Sequence, residues 1–402
     1  MEERSEKSWR MDESNKRKQD MNELTMTNGE AFRNVLKKKI NELKDSQNNI
    51  QNVHTPYDLC DDMLTEMKQY TTFSDDEFLV LFNLEFVEML IATGVPNERI
   101  WFVTDCKKKA ALLGISRYSG VKVEVIDMQK NNAIEEMNPF GGKKFDAVVM
   151  NPPWQHQLHL SFLKKALDLG KMVVSVQPAG WFVCERKPKD VIDKISGKIL
   201  SVKLFDGQPV FDVEIGCLAG IFLLDTTINK KSFTVVDESQ HKSIEYDSVK
   251  NVNSFNNTDI YLPLKTKLLR LASQNSLFNN VGKQNKFYVN LAKIRGHGGN
   301  PDLHTFLPKS QGIEKTPKMQ FFGFENKQSA TNFISYLRTK VARFCLAILK
   351  SNKNMHQGEL KSVPYVNCSQ LWSDAFLVKQ WELTKKEWEF IDSVIPNYYE
   401  EL

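Results

Sequence analysis

The chain has 402 residues, of which 41% are hydrophobic and 26% charged, and its net charge is +4. This length gives room for two domains, and no apolar run is long enough to cross a bilayer. The charged start, MEERSEKSWRMDESNKRKQD, lacks the apolar core of a signal peptide. We therefore expect a soluble, cytoplasmic protein rather than a secreted or membrane-embedded one.

The cysteines are scattered along the chain without any CxxC pair: Cys60, Cys106, Cys184, Cys217, Cys345 and Cys368. Such spacing favours neither a zinc site nor a disulfide framework. We expect reduced thiols and no metal site.

The start of the chain, residues 1–27, lacks apolar periodicity, and its composition predicts a disordered tail. The next stretch, EAFRNVLKKKINELKDS, has apolar residues at three- and four-residue spacing, which predicts an amphipathic helix. Those apolar residues are Phe32, Val35, Leu36, Ile40 and Leu43.

From Val53 to Asp225, short β-like runs alternate with helical stretches, the pattern of an α/β sheet with helices on both faces. The predicted strands are EFLVLFN, RIWFVTD, VKVEVID, FDAVVMN, MVVSVQP, ILSVKLFD and CLAGIFLLD. Between them, FVEMLIATG and LSFLKKALDLG are predicted to be helices that stop at a glycine.

Four of the predicted strands end in a polar residue, namely Asn83, Asp105, Asp127 and Asn151. In doubly wound sheets, ligands bind outside the carboxyl ends of the strands. We therefore expect these four side chains to line one crevice, where the chemistry takes place.

The second half of the chain is basic, with a net charge of +8 over residues 226–402 against −4 over residues 1–225. The net charge of residues 261–361 alone is higher still, at +13. Irregular segments such as GHGGNPDLHTFLPKSQG interrupt it, which is typical of a recognition domain. The charge indicates a polyanionic partner; a lysine-rich solvated surface is the alternative.

The stretch FDAVVMNPPWQ, Phe145–Gln155, ends a hydrophobic run with an amide, two prolines and an aromatic ring. Because prolines restrict φ and lack an N–H, this turn is stiff and its carbonyls can face a ligand. The Asn151 side-chain oxygen and the Pro152 carbonyl form a pair of acceptors suited to an NH₂ group. Trp154 offers a face on which a planar ring carrying that amine can stack.

This NPPW sequence after a hydrophobic strand resembles the catalytic motif of S-adenosylmethionine-dependent amino-group methyltransferases, above all the DNA adenine-N6 methyltransferases. The resemblance implies a Rossmann-like methyltransferase sheet, and it implies that Asn151 and Pro152 hold the target amine, beside Pro153, while Trp154 stacks on a flipped-out base. An ordinary Asn-Pro turn that ends a strand is the alternative.

Other segments resemble the same family. HTPYDLCDDML matches the segment that closes over the cofactor, which assigns Thr55 and Pro56 to cofactor binding, although a plain helix start would look the same. The resemblance places Asp105 on the ribose hydroxyls and Asp127 near the cofactor adenine; each acid would alternatively cap the following helix. GQPVFDVEIGCLAGIFLL matches a later motif in which Phe211 packs against the extruded base, with a core position as the alternative.

One departure from the family is the loop after the first strand. The family has a glycine-rich loop there, because small residues let the main chain approach the cofactor. Here VLFNLEFVEMLIATG has no Gly-x-Gly. The resemblance leaves Asn83 or Glu85 to hold the methionine amino group or the ribose, and cofactor binding is otherwise weak or lost.

The basic half resembles the recognition regions of TaqI-like adenine methyltransferases and of fused restriction-modification enzymes. The order of cofactor region, catalytic motif and recognition domain corresponds to what is called the gamma arrangement in this family, and the resemblance as a whole covers roughly Val53 to Tyr365. A base inside a duplex must be swung out before its amine can react, so the rest of the duplex has to be held. The candidate phosphate contacts are Lys293, Arg295, Lys309, Lys315 and Lys318.

The C-terminal part has two predicted helical segments. NFISYLRTKVARFCLAILKS has an apolar stripe expected in the core, with Arg338, Lys340 and Arg343 as further candidates for phosphate contacts. ELTKKEWEFIDSVI is predicted to be a helix with Thr384 as N-cap and Glu387 completing a capping box.

The sequence thus predicts a disordered tail at 1–27, an S-adenosylmethionine-binding methyltransferase domain at 28–225, and a basic α+β target-recognition domain at 226–402. The predicted function is methylation of adenine N6 in double-stranded DNA, within a restriction-modification or anti-restriction system. Four alternatives remain: methylation of cytosine N4, of adenine in RNA or of a protein glutamine, and a DNA-binding protein on a methyltransferase scaffold without cofactor. The sequence does not indicate an oligomeric state.

Overall fold

The computed structural model describes residues 33–34, 36–38, 54–114, 116–128, 132–184, 187–211, 218–238, 241–253, 259–281, 287–294, 301–306, 320–349 and 357–398. The predicted tail at 1–27 lies outside these residues. In the predicted helix at 30–46, the described residues are helical, and Leu36 is buried in the hydrophobic core. The chain divides into two compact units, Met1–Pro178 with Asp193–Glu245, and Ala179–Ile192 with Tyr246–Leu402.

The strands of the first unit begin with the parallel set β1 (Phe78–Leu81), β2 (Ile100–Thr104), β3 (Lys122–Val125), β4 (Phe145–Met150) and β5 (Gly170–Pro178), and continue with β6 (Ile199–Asp206), β7 (Leu218–Asp225), β8 (Phe233–Asp237) and β9 (Lys242–Tyr246). The helices along the same stretch are α1 (Tyr57–Lys68), α2 (Leu84–Ala92), α3 (Lys107–Leu112), α4 (Leu158–Leu169), α5 (Gly180–Val183) and α6 (Lys189–Ile195). All seven predicted strands are present.

These nine strands form one sheet in the order β3-β2-β1-β4-β5-β7-β6-β8-β9. The first five pair in parallel, whereas β7 runs antiparallel to both β5 and β6. Strands β1 and β4 are apolar and buried at every position except Asp146, so both faces of the sheet are covered there. The predicted α/β class, a doubly wound Rossmann-like sheet, is confirmed.

The sheet continues past the predicted domain boundary at residue 225. Strand β8 pairs in parallel with β6, and β9 follows it at the edge. Their sequences, FTVVD and KSIEY, are short and lie in a polar stretch of the chain, so hydrophobic patterning did not separate them from loops.

The second unit contains a three-stranded antiparallel sheet in the order β11-β10-β12 and several helices, and the predicted α+β class of the C-terminal region is confirmed. The strands are β10 (Phe287–Ile294), β11 (Pro301–Phe306) and β12 (Gln320–Phe324). The helices are α7 (Tyr261–Gln274), α8 (Lys327–Arg338), α9 (Lys340–Ile348), α10 (Asp374–Gln380) and α11 (Lys385–Val394). Aromatic and aliphatic side chains from these elements form its own hydrophobic core.

The helical stretch around residue 340 differs from its prediction in two ways. Thr339 breaks it into α8 and α9, and its hydroxyl caps α9 by accepting from the Ala342 N–H at 3.1 Å. Arg343 is fully buried and donates to the Pro396 carbonyl at 2.6 Å, so its prediction as a phosphate contact is wrong. The apolar stripe is in the core as expected.

The last helix, α11, confirms its predicted start. The Thr384 hydroxyl accepts from the Glu387 N–H, and the Glu387 carboxylate accepts in return from the Thr384 N–H at 2.7 Å. Within the described part of the chain, none of the helices combines the length and the apolar character that a membrane span requires.

Candidate active site at the carboxyl edge of the sheet

The four polar residues expected at one edge of the sheet follow four neighbouring parallel strands. Leu81 of β1 pairs with Val103 of β2 and with Met150 of β4, and β3 pairs with β2 in the same direction. Asn83, Asn151, Asp105 and Asp127 therefore leave the same edge, as predicted.

Asn151 is buried where β4 ends, with 2% of its surface exposed. Its amide nitrogen donates to the Thr55 hydroxyl oxygen at 3.0 Å, and its side-chain oxygen accepts from the indole N–H of Trp154 at 2.9 Å. The two prolines between Asn151 and Trp154 are buried as well. The amide oxygen thus faces the aromatic ring of its own motif.

Trp154 and Phe211 contact each other directly. Their ring centroids are 5.1 Å apart and their planes meet at 78°, an edge-to-face arrangement. Phe211 is buried in the hydrophobic core, and Trp154 is half-buried against that core. The structure brings into direct contact the two rings that the family resemblance places on opposite sides of a base, with no gap between them for a planar ring.

Thr55 is held in place by residues of α2. Its main-chain N–H donates to the Glu85 carboxylate at 3.1 Å, and the same oxygen lies 2.6 Å from Nδ1 of His54. Burial alone would raise the pKa of Glu85, but the hydrogen bond with His54, its charge and that of Lys109 lower it. Glu85 is therefore a buried carboxylate that ties residues 54–55 to the start of α2.

Asn83 faces inward as well. Its amide nitrogen lies 2.8 Å from the main-chain oxygen of Asn151 and 3.1 Å from that of Leu81, and its side-chain oxygen lies 3.3 Å from the Thr55 hydroxyl. The surroundings require this orientation, because the reverse would set an oxygen against two carbonyl oxygens.

The loop between β1 and α2 consists of Phe82 and Asn83 only. Phe82 adopts a left-handed conformation, with φ of 68°, and its buried ring meets that of Phe162 edge-to-face at 5.1 Å. Its carbonyl accepts from the buried ammonium of Lys109 at 3.1 Å. A non-glycine residue thus makes the left-handed turn for which glycine is usually used.

The two acids at the neighbouring strand ends are more accessible. Asp105 is half-buried; burial raises its pKa, and the charge of Lys109 opposes that rise. Asp127 is exposed. Both carboxylates are therefore more open to a ligand than the buried Glu85.

Sequence reasoning missed His54 and Lys109. The available signal for Lys109 was its place in the first turn of the helix after β2, four residues beyond Asp105. His54 had no comparable signal, because its partner lies 31 residues away in sequence.

Five of the candidate phosphate contacts have no described side chain. Arg295, Lys309, Lys315 and Lys318 lie outside the described residues, and Lys293 is described only as backbone of β10. In the part of the chain that the structure covers, no three His, Cys, Asp or Glu side chains come together as a metal site would require.

No family model matches the sequence, and the comparison with curated proteins finds no relative. Among solved structures, the type I restriction-modification methyltransferase subunit from Streptococcus thermophilus is 13% identical at a TM-score of 0.41 and covers 56% of this chain and 55% of its own. The type IIG restriction endonuclease BpuSI is 10% identical at a TM-score of 0.42, covering 83% and 61%.

A third neighbour, a Pyrococcus horikoshii protein provisionally assigned to the RNA methyltransferases, is 16% identical at a TM-score of 0.33 and covers 52% of this chain and 96% of its own. Identities and scores of this size support no statement about function. The fold assignment therefore rests on the strand order and directions of the sheet itself.

Proposed function

We propose that this chain is an S-adenosylmethionine-dependent DNA methyltransferase that modifies the N6 amine of an adenine flipped out of the duplex. The observation that carries the proposal is the buried Asn151 amide, whose oxygen faces the Trp154 ring at the carboxyl end of β4. An acceptor beside an aromatic plate is what an aromatic amine requires.

S-adenosylmethionine would supply an electrophilic methyl group on a sulfonium. The residues available to hold it are the carboxylates after β2 and β3: Asp105 would accept the ribose hydroxyls, and Asp127 would lie near the adenine. Asn83 and Glu85 make internal hydrogen bonds instead. Thr55 is fully buried and bonded to Asn151, so the nearby Pro56, half-buried at the start of α1, is the more accessible residue of that pair.

The chain's own residues would act on the target amine. The Asn151 oxygen would accept one amine hydrogen and the Pro152 carbonyl the other, which draws the nitrogen out of conjugation and directs its lone pair away from the ring. Proton loss to water would follow, so no general base is assigned. Catalysis would arise from positioning and from carbonyl dipoles that stabilise positive charge developing on nitrogen.

For the amine to reach Asn151, the indole N–H of Trp154 must leave the amide oxygen. The indole and the amine are both donors to one acceptor, so the incoming amine replaces the hydrogen bond that Trp154 gives up. The displaced ring would then stack on the base, with Phe211 on the opposite side.

The basic second half supports DNA as the polymer, because a net charge of +13 over residues 261–361 favours binding to phosphates. Lys293, Arg295, Lys309, Lys315 and Lys318 are the residues we propose for those contacts. A role in restriction-modification or anti-restriction would follow from site-specific methylation.

The test is to incubate the purified chain with methyl-labelled S-adenosylmethionine and unmethylated duplex DNA, then to digest the DNA and identify the labelled nucleoside. N6-methyladenine is expected, and the Asn151→Ala variant is expected to incorporate label about 10³-fold more slowly. Label in cytosine, or in RNA offered in parallel, would instead identify a different acceptor.

A second candidate is a DNA-binding protein that retains the scaffold without the cofactor. The left-handed Phe82 in a two-residue loop without glycine favours it, because a side chain is buried where the family keeps small residues. Calorimetry separates the two: no heat with S-adenosylmethionine, together with retained duplex binding, would favour the second candidate.

A further inference from the structure

The orientation of the Asn151 amide follows from its neighbour Trp154. An indole N–H is only a donor, so the Asn151 atom that lies 2.9 Å from it is the oxygen. The nitrogen of the same amide then faces the Thr55 hydroxyl at 3.0 Å. Trp154, however, has to leave when a target amine binds, so another contact must keep the oxygen outward during catalysis.

Thr55 alone would not hold the amide, because a hydroxyl donates as readily as it accepts. Asn83 removes this ambiguity. Its amide nitrogen is fixed by the main-chain oxygens of Leu81 and Asn151, at 3.1 and 2.8 Å, so its side-chain oxygen faces Thr55. The single hydroxyl hydrogen of Thr55 is then used on Asn83, and a lone pair is left for the Asn151 nitrogen.

The result is one directed chain of hydrogen bonds, from Asn151 to Thr55, from Thr55 to Asn83, and from Asn83 back to the main chain. All three residues are at least 98% buried, so water does not compete for these groups. Reversing the Asn151 amide would set its NH₂ toward an amine donor and its oxygen toward a hydroxyl whose hydrogen is already used.

We propose that Thr55 is a positioning residue, backed by Asn83, that keeps the Asn151 oxygen facing the target amine once the Trp154 indole has been displaced. This proposal rests on the function proposed above. It gives Thr55 a role distinct from cofactor binding, because the hydroxyl would act through Asn151 and not on the cofactor.

The test compares Thr55→Val, which keeps the side-chain shape, and Thr55→Ala with Thr55→Ser, which keeps the hydroxyl. The maximal turnover of methyl transfer should fall about 10- to 100-fold in the first two and stay within a few-fold in Thr55→Ser. The dissociation constants for S-adenosylmethionine and for duplex DNA should stay within a few-fold in all three variants. A matched control is Thr71→Val, because the Thr71 hydroxyl donates to the Met67 carbonyl at 3.0 Å, beyond the far end of α1 from Thr55.

A second measurement does not need activity. The indole N–H resonance of Trp154, identified by its loss in Trp154→Phe, reports the bond to the Asn151 oxygen. In Thr55→Val it should move upfield and exchange faster with solvent, because the Asn151 amide loses its bond to Thr55 and the indole bond alone holds it less firmly. In Thr55→Ser it should stay in place.

The outcomes separate the two proposals. If the wild-type chain transfers no methyl group, the proposed function fails, and the indole resonance still decides how the amide is held. If the wild-type is active but Thr55→Val turns over normally with an unchanged indole signal, Thr55 is not a positioning residue. Weaker cofactor binding as the main effect of Thr55→Val would overturn the proposal in favour of direct contact with the cofactor.

Discussion

The loops after β1 and β4 leave the same edge of the sheet, and each carries a buried asparagine. In the two-residue loop after β1, both ends of the Asn83 amide are bonded to the protein. In the longer loop after β4, the Asn151 nitrogen donates to the buried Thr55 hydroxyl, while its oxygen accepts from the indole N–H of Trp154, a ring that is half-exposed. The role of each asparagine is set by what faces the two ends of its amide.

The start of α2 also shows that the Asn83 side chain is used to support the second loop. Asn83 stands at the N-cap position of α2, yet its side chain makes no capping hydrogen bond. Asparagine is a preferred N-cap residue, so the main chain forgoes a contact worth about 1 kcal/mol there. The side chain instead supports the second loop, so the first loop serves as a scaffold for the second.

Substitution of the two asparagines should separate these roles most strongly. Asn151→Ala removes the acceptor that we propose for the reacting amine, so turnover should fall about 10³-fold while DNA affinity stays within a few-fold. Its cost in the free energy of unfolding should be about 1 kcal/mol. Turnover assays and urea unfolding would measure both quantities.

Asn83→Ala should reduce stability more, and turnover less, than Asn151→Ala does. It removes the side-chain donor to the Asn151 carbonyl, while the Leu81 carbonyl keeps the main-chain N–H of residue 83 at 3.0 Å. The free energy of unfolding should therefore fall by about 2 kcal/mol, and turnover should fall less than in Asn151→Ala. If Asn83→Ala proved the more damaging to turnover and Asn151→Ala the more damaging to stability, the division of roles would be wrong.

The next largest effect concerns Trp154, which has no counterpart in the first loop. Trp154→Ala should raise the KM for DNA about 10- to 100-fold, because stacking on a base contributes about 1–3 kcal/mol. Trp154→Phe should keep KM near the wild-type value, since it retains a ring and removes the N–H that competes for Asn151. Equal losses in both variants would show that the indole N–H, and not the ring face, is what the substrate needs.

The positions of both loops could be predicted from the sequence, because each loop directly follows a strand that the sequence identifies. Continuous apolar runs ended by polar or proline residues identified β1 and β4, and the NPPW sequence identified the edge where chemistry is proposed. The links between the loops were not predictable, because Thr55 and Asn151 are 96 residues apart and nothing local in the chain pairs them. The use of Asn83 was hidden as well, since its position suggests an N-cap.

The burial of Arg343 illustrates the same limit in the second unit. Its position between apolar residues at helical spacing predicted a cation that faces away from the core and contacts phosphate. The side chain instead reaches the Pro396 carbonyl from inside the core, a partner 53 residues away in sequence. Hydrophobic periodicity identified the helix and its apolar stripe, but the direction taken by a long side chain depended on a distant carbonyl.

The smallest predicted effect is a difference in stability between two substitutions of Phe82, and it tests the main-chain conformation of the first loop. Phe82→Ala and Phe82→Gly both remove a buried ring that packs on Phe162, at a cost of about 3–5 kcal/mol in the free energy of unfolding. They differ in the main chain, because alanine is strained at a φ of 68° whereas glycine is not. Phe82→Gly should therefore be the more stable of the two by about 1 kcal/mol in urea unfolding.

The matched pair is Phe73→Ala and Phe73→Gly, another buried ring in edge-to-face contact. Phe73 is not among the described residues with positive φ, so there the order should reverse, with glycine less stable by about 0.5–1 kcal/mol. The same order at both positions would mean that the first loop has no left-handed turn. The loop would then bring its main chain to the sheet edge in another conformation, and Asn83 would lose the geometry by which it reaches Thr55 and the second loop.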